Sequence, residues 1–245
     1  MKRHIIILAA LLLPLLVNAQ SWTNRSYKPK WNPVDSLTYK VEMQGSFSSG
    51  KTPLWLNANK YGLSSLDENN GYVRGSVYRP LSVDDERKFG LGYGVDVAVP
   101  VNYTSNVVVQ QAYVEGRWLH GTLTIGAKEE PMELKNRWLS SGSQTLGINA
   151  RPVPGVRIAL PDYWTVPLTK GWLHIKGHIG FGMLTDGNWE RDFTNGQSKY
   201  TEHVLYHSKA GYLKIGNPER FYPLSLELGL EMVARFGGTI HQPDS

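Results

Sequence analysis

The chain contains no cysteine at any of its 245 positions. That excludes a disulfide scaffold and any thiolate zinc site. Charge is also scarce. Charged residues make up 19% of the chain, and the net charge at pH 7 is only +5. Two of those positive charges, Lys2 and Arg3, sit at the extreme N-terminus. So small a surplus does not point to nucleic acid. Long apolar runs are absent after the first twenty residues, so no transmembrane helix is expected in the body of the chain. Gly-rich phosphate loops and zinc-ligand spacings are missing too. No cofactor and no metal are expected.

The one apolar run spans Ile5 to Val17. At about 13 residues it is short for a spanning helix. It follows a basic start and precedes Val17-Asn18-Ala19, a small-residue cleavage site. Residues 1–19 therefore read as a secretory signal peptide. No cysteine follows, so the pattern is not a lipoprotein's. Residues 20–36, QSWTNRSYKPKWNPVDS, show no period and read as an irregular N-terminal segment.

What the chain does have is glycine, aromatics and alternation. It carries 25 Gly, 13 Tyr and 8 Trp, a mixture that suits outer-membrane barrels and also sugar-binding sandwiches. Residues 37–245 read as a chain of strands. Tyr39, Val41, Met43 and Phe47 share one face; Lys40, Glu42, Gln44 and Ser46 share the other. The strand from Leu91 sets Tyr93, Val95, Val97 and Val99 against Gly92, Gly94, Asp96 and Ala98. Ile175, Ile179, Phe181 and Met183 oppose His174, Lys176, His178 and Gly182. The clearest strand is PLSLELGLEMVARF, with Leu224, Leu226, Leu228, Leu230, Met232 and Ala234 in line. Further strands are predicted at 72–79, 107–119, 122–127, 155–160 and 204–215, about nine in all.

A sandwich strand rarely sustains six apolar positions in a row. The opposite positions mix small and charged residues, as a wet barrel interior would. The pattern therefore favours an all-β, antiparallel transmembrane β-barrel over a sandwich. Two short helices are predicted to cap or plug one end. The first is TPLWLNANKYG, with Thr52 as cap, Pro53 at the first turn and Gly62 at a left-handed exit. The second is PMELKNRWLSSG, from Pro131 to Gly142.

Several long stretches, taken in order, resemble one family. They are TPLWLNANKYGLSS, LGYGVDVAV, QQAYVEGRW, GAKEEPMELKN, SSGSQTLGINARPVPGVRI, PDYWTVPLTKGWLHIKGHIGFGMLTDGNW and VLYHSKAGYLKIGN. Together they are similar to the Wzi-type capsule-assembly proteins, in the branch found in Bacteroidota, over roughly residues 40–238. The resemblance implies an outer-membrane barrel with helices near its periplasmic end. It also implies a non-enzymatic, lectin-like role in holding capsular polysaccharide at the cell surface. Outer-membrane lipid and the barrel-assembly machinery would be the other partners. Family barrels hold about twice as many strands as are read here. The chain also ends on Ser245 rather than on an aromatic residue. It therefore reads as an N-terminal portion of a larger barrel or a truncated product.

Sugars are bound by aromatic faces together with amides, carboxylates and arginines. PDYWTVP offers Asp162, Tyr163 and Trp164 in a Pro-bounded loop. TDGNWERDF offers Asp186, Asn188, Trp189 and Arg191 in a long stretch, Thr185–Lys199, expected on the extracellular side. Trp189 and Arg191 stand foremost, while Trp164 and Trp172 also suit an interfacial girdle. Arg74, Arg117, Lys128, Arg151, Arg157 and Lys176 are expected in the lumen. There they either track an acidic glycan or pair with Glu115, Glu227 and Glu231; pairing is the favoured reading.

Catalysis finds little support. Asp162 and Asp186 could form a glycosidase pair, but nothing sets their separation. His174 and His178, like His203 and His207, lie four apart on strands, about 13 Å, too far to share a metal. The alternatives to a capsule protein are a porin-like channel and an outer-membrane enzyme acting on glycan or lipid.

Overall fold

The computed structural model describes residues 31–53, 60–63, 65–130, 133, 145–146, 150–185, 189–217, 220 and 224–243. The signal peptide and most of both predicted capping helices lie outside the described residues.

Eleven strands form in chain order: β1 Thr38–Ser46, β2 Asn70–Arg79, β3 Phe89–Val101, β4 Val108–Trp118, β5 Gly121–Ala127, β6 Gly155–Thr165, β7 Leu173–Met183, β8 Tyr200–Glu202, β9 Leu205–Ile215, β10 Leu226–Phe236 and β11 Thr239–His241. Nine of them make one antiparallel sheet in the order β1-β2-β3-β4-β5-β6-β7-β9-β10. These are the nine that alternation predicts. Strands β8 and β11 pair separately, with the Tyr200 ring stacked on His241 at 4.7 Å. Among the described residues no pairing joins β1 to β10, so the sheet is open there. Among the described residues no helix is long and apolar enough to cross a membrane.

Alternation has an unusual sign. In β3 the buried positions are Gly90, Gly92, Gly94, Asp96, Ala98 and Pro100, whereas Val95, Val99 and Val101 are exposed. The register carries this across the sheet. Met43, Val73 and Val99 form one exposed row. Leu123, Ile158 and Ile179 form another. The opposite face buries Arg74, Asp96, Gln110, Glu115, Thr122 and Thr124. Among the described residues, buried polar side chains outnumber buried apolar ones, eleven to seven. The one buried apolar cluster is small: Leu63, Tyr72, Ala98 and Val108, with Tyr103 against it. The sheet thus exposes its hydrophobic face and covers its polar one, the reverse of a water-soluble sheet.

Glycine makes the polar face possible. A Cβ on Gly92 would meet Glu115 at 2.8 Å, and one on Gly94 would meet Tyr113 and Tyr78 at 2.9 Å. The missing side chains are the space those larger ones fill.

A bulge in β4 adds to the polar face. Asp96 pairs with Gln111 but Val97 with Val109, so Gln110 is an extra residue. Both Gln110 and Gln111 then reach the polar side, where regular alternation would send one away. A second bulge lies in β6, where Leu160 pairs with Gly177 and Trp164 with Ile175.

The connections sort by end. At one end they run 80–88, 119–120, 166–172 and 216–225; at the other 47–69, 102–107, 128–154 and 184–204. Both predicted helices and the Thr185–Lys199 stretch therefore leave the sheet at the same end. Within that last stretch a short helix forms, α1 Trp189–Thr194. The prediction there is a loop. Six residues with no apolar period give no helical signal in sequence.

Of the predicted N-terminal segment only residues 31–36 are described; they form turns and bends before β1 and are tied down. Asp35 pairs with Arg79 at 3.0 Å, and the Tyr93 hydroxyl donates to the Pro33 carbonyl. Thr52 is buried, its hydroxyl donating to the Asp67 carbonyl and accepting from the Asn70 amide. Gly62 has the left-handed φ of 77° that its predicted exit role needs, and Tyr61 before it is also left-handed.

Candidate functional site

The polar face carries a set of matched charges and hydrogen bonds drawn from several strands and the connections between them. Arg74 on β2 bonds both oxygens of Asp96 on β3, and reaches Glu129 at 2.8 Å in the connection after β5. Gln111 donates to Asp96 and accepts from the Glu129 amide; Gln110 donates to Glu129 and to the Tyr61 carbonyl. Lys128 pairs with Glu115 at 2.5 Å, Arg157 with Glu130 at 3.2 Å, Arg117 with Asp85 at 2.5 Å and Lys176 with Glu133. On the last strands Lys214 pairs with Glu227, and the Tyr212 hydroxyl donates to Glu231. The predicted lumen cations are thus paired, apart from Arg151. Arg151 donates to the Tyr103 hydroxyl at 2.7 Å and makes no ion pair among the described residues. Lys128–Glu115 is the one pair whose partner is named correctly from sequence; the others take partners that only the register brings close.

Residues 128–130, 133 and 150–153 lie over this face. Glu129, Glu130, Glu133 and Arg151 all reach partners on the strands or on the 60–63 turn. Between them and strands β5–β7, β9 and β10 remains a cavity of about 190 Å³. Its lining includes Glu130, Arg157, His178, Tyr206, Tyr212 and Glu231. The buried Tyr206 hydroxyl has no hydrogen-bond partner among the described residues. Burial pushes the Glu130 carboxyl above its ordinary pKa, with Arg157 and Lys128 pulling the other way. At the opposite end, the Arg79 guanidinium beside Asp84 holds that carboxyl below its ordinary value, aided by the Leu91 amide.

The sequence candidates divide. Asp162, Tyr163 and Trp164 lie within β6, not in a loop as predicted. The bulge absorbs Pro161, so the strand continues past it. Tyr163 reaches the polar side: its hydroxyl donates to Glu227 at 3.3 Å, and Lys176 sits 4.6 Å from its ring. Trp164 pairs opposite Ile175 and lies 6.2 Å from the His120 ring, on the other face at a strand end. Asp162 is exposed. The three therefore do not converge on one site. Trp189 and Arg191 belong to α1, and Arg191 is exposed. Asp186 and Asn188 lie outside the described residues.

Among the cavity-lining residues, sequence reading places only Lys128, Arg151, Arg157 and Glu231 in the interior by name. Tyr206, Tyr212 and His178 show only as polar-face positions of alternating strands. Among the described residues no three His, Asp or Glu side chains converge as a metal site. His174 instead contacts Thr165 and the Gly216 carbonyl.

The class this geometry defines is an all-β chain on one large antiparallel sheet, with an apolar outer face and a covered, ion-paired inner one. Comparisons with family models, with curated proteins and with solved structures found no match.

Proposed function

We propose that the chain is an outer-membrane β-barrel protein, whole or in part, that assembles or attaches capsular polysaccharide without catalysing a reaction. One observation carries the membrane half of this reading: the sheet's exposed face is hydrophobic and its charged face is covered. In water that arrangement leaves residues such as Val41, Met43, Ile158, Phe181, Leu228 and Leu230 uncompensated. In a bilayer each of them gains. Strands of nine to thirteen residues in the large sheet, β5 excepted, match the length a tilted strand needs to cross.

The polysaccharide half rests on the family resemblance, supported by the character of the inner face. The cavity sets tyrosine rings beside carboxylates and arginines, the groups that bind sugar hydroxyls and charges. A diffusive channel has less support, because Glu129, Glu130 and Glu133 reach across the polar face. The expected result in a deletion strain is loss of capsule from the cell surface into the medium, restored by the intact gene. Unchanged capsule retention, together with no glycan-array binding by the detergent-purified protein, overturns the reading.

A further inference from the structure

Away from strand ends and the β6 bulge, the exposed face of the sheet has no Asp, Glu or Arg among the described residues. It has one lysine. Lys209 sits in β9 between Ile179 of β7 and Met232 of β10, in the row that begins Leu123, Ile158. It is exposed and makes no ion pair among the described residues. Its nearest polar companion is His207, two residues along the same face and about 7 Å away by strand rise. That ring is fixed: it stacks on Phe181 at 4.2 Å, and Nδ1 donates to the Gly180 carbonyl at 3.0 Å. On the other side of Lys209, the next row pairs Gly177 with Gly211. A Cβ on Gly211 would meet nothing within 4 Å. Gly177 is filled by backbone, its would-be Cβ 2.4 Å from the Ala210 carbonyl oxygen, so the notch in the apolar surface lies at Gly211 alone, beside Lys209.

We propose that this is a lipid site, resting on the outer-membrane reading above. A phosphate headgroup pairs with Lys209 beside the His207 ring, and one acyl chain lies in the notch at Gly211. The charge requires an anion, and the notch requires a slender apolar group; a phosphate-bearing lipid supplies both in one molecule. Depth agrees. Lys209 is four residues into β9 from the long-connection end, about 13 Å along the strand and about 9 Å below its end at the usual tilt. An ammonium at that depth reaches the headgroup level by snorkelling.

The test uses the full chain in detergent micelles, with bound lipid counted by native mass spectrometry. Phosphatidylglycerol is compared with a diacylglycerol of the same chains, and inorganic phosphate is tried as competitor. Wild type is expected to retain phosphatidylglycerol over diacylglycerol. Lys209→Gln should lose about tenfold in affinity, the worth of one charge-assisted hydrogen bond. Lys209→Arg should keep it. Gly211→Leu, which fills open space, should weaken both lipids alike. Equal phosphatidylglycerol retention by wild type, Lys209→Gln and Gly211→Leu overturns the proposal, and so does full displacement by millimolar inorganic phosphate. A chain that is a compact monomer without detergent defeats the membrane reading first. A detergent-dependent chain with unchanged lipid retention in Lys209→Gln defeats only this site.

Discussion

Glu227 and Leu228 are neighbours in sequence and live in opposite worlds. Glu227 turns to the polar side, where it accepts from Tyr163 and pairs with Lys214 at 3.0 Å. Leu228 turns outward and is 53% exposed. The same contrast runs across the whole sheet. On the inner face, specificity comes from matched charges: Arg74 has Asp96 and Glu129, Lys128 has Glu115, Lys176 has Glu133. On the outer face no charges are matched among the described residues; under the outer-membrane reading proposed above, hydrocarbon would ask only for apolar surface. One face is written in pairs, the other in composition. Substitutions on the inner face should therefore depend on the partner, and those on the outer face on depth and polarity alone.

The most damaging way to break the inner face is Arg74→Ala. It leaves the Asp96 and Glu129 carboxylates close together and buried with only glutamine donors. Breaking a buried pair in this way costs about 3–5 kcal/mol, read as a fall in the urea midpoint of the detergent-folded chain. If the cost is partner-specific, Arg74→Met combined with Asp96→Leu should recover much of it. Equal loss in the single and double variants would deny that pairing is the organising rule.

The outer face is tested next by Leu228→Arg. Two residues into β10, between interface and midplane, an outward arginine costs about 1–2 kcal/mol, expected to appear as a reduced fraction recovered with outer membranes. Glu227→Gln removes one charge from a half-exposed pair and should cost under about 1 kcal/mol. Comparable effects at the two positions would erase the distinction between the faces.

Much of this division is legible in the sequence. The nine strands of the large sheet follow from period-two alternation, clearest in β10, where six apolar residues recur at every second position. The polar identity of the inner face is legible for the same reason. What is not legible depends on register. Gln110 and Gln111 break alternation by one residue, and only the pairing with β3 shows a bulge that turns both inward. Pro161 reads as the end of a strand, yet the β6 bulge carries the chain through it, so Asp162, Tyr163 and Trp164 separate instead of converging. The charged residues can be listed from sequence, but their partners cannot. Arg74 meets Glu129 across 55 residues only because the connection after β5 folds back over the sheet. The cavity inherits the same difficulty, since its lining is drawn from five strands and two connections.

The finest test of the comparison uses glycine, because a single methyl-bearing side chain can be placed on either face. Gly94 lies on the inner face, where an added Cβ would strike Tyr113 and Tyr78 at 2.9 Å. Gly75 lies one strand away on the outer face, where an added Cβ meets nothing. Both sit mid-strand, and valine has the better strand propensity at each. Gly94→Val should nonetheless destabilise by about 1–3 kcal/mol, since two tyrosine rings must shift in a close-packed layer. Gly75→Val should be neutral to slightly stabilising, within about 0.5 kcal/mol. The two variants change the same atoms in the same element type, so the difference in urea midpoint isolates the packing of the inner layer from backbone effects. If Gly75→Val proved as costly as Gly94→Val, the outer face would be a packed surface rather than an open one. The hydrocarbon-facing assignment of β2 would then have to be abandoned.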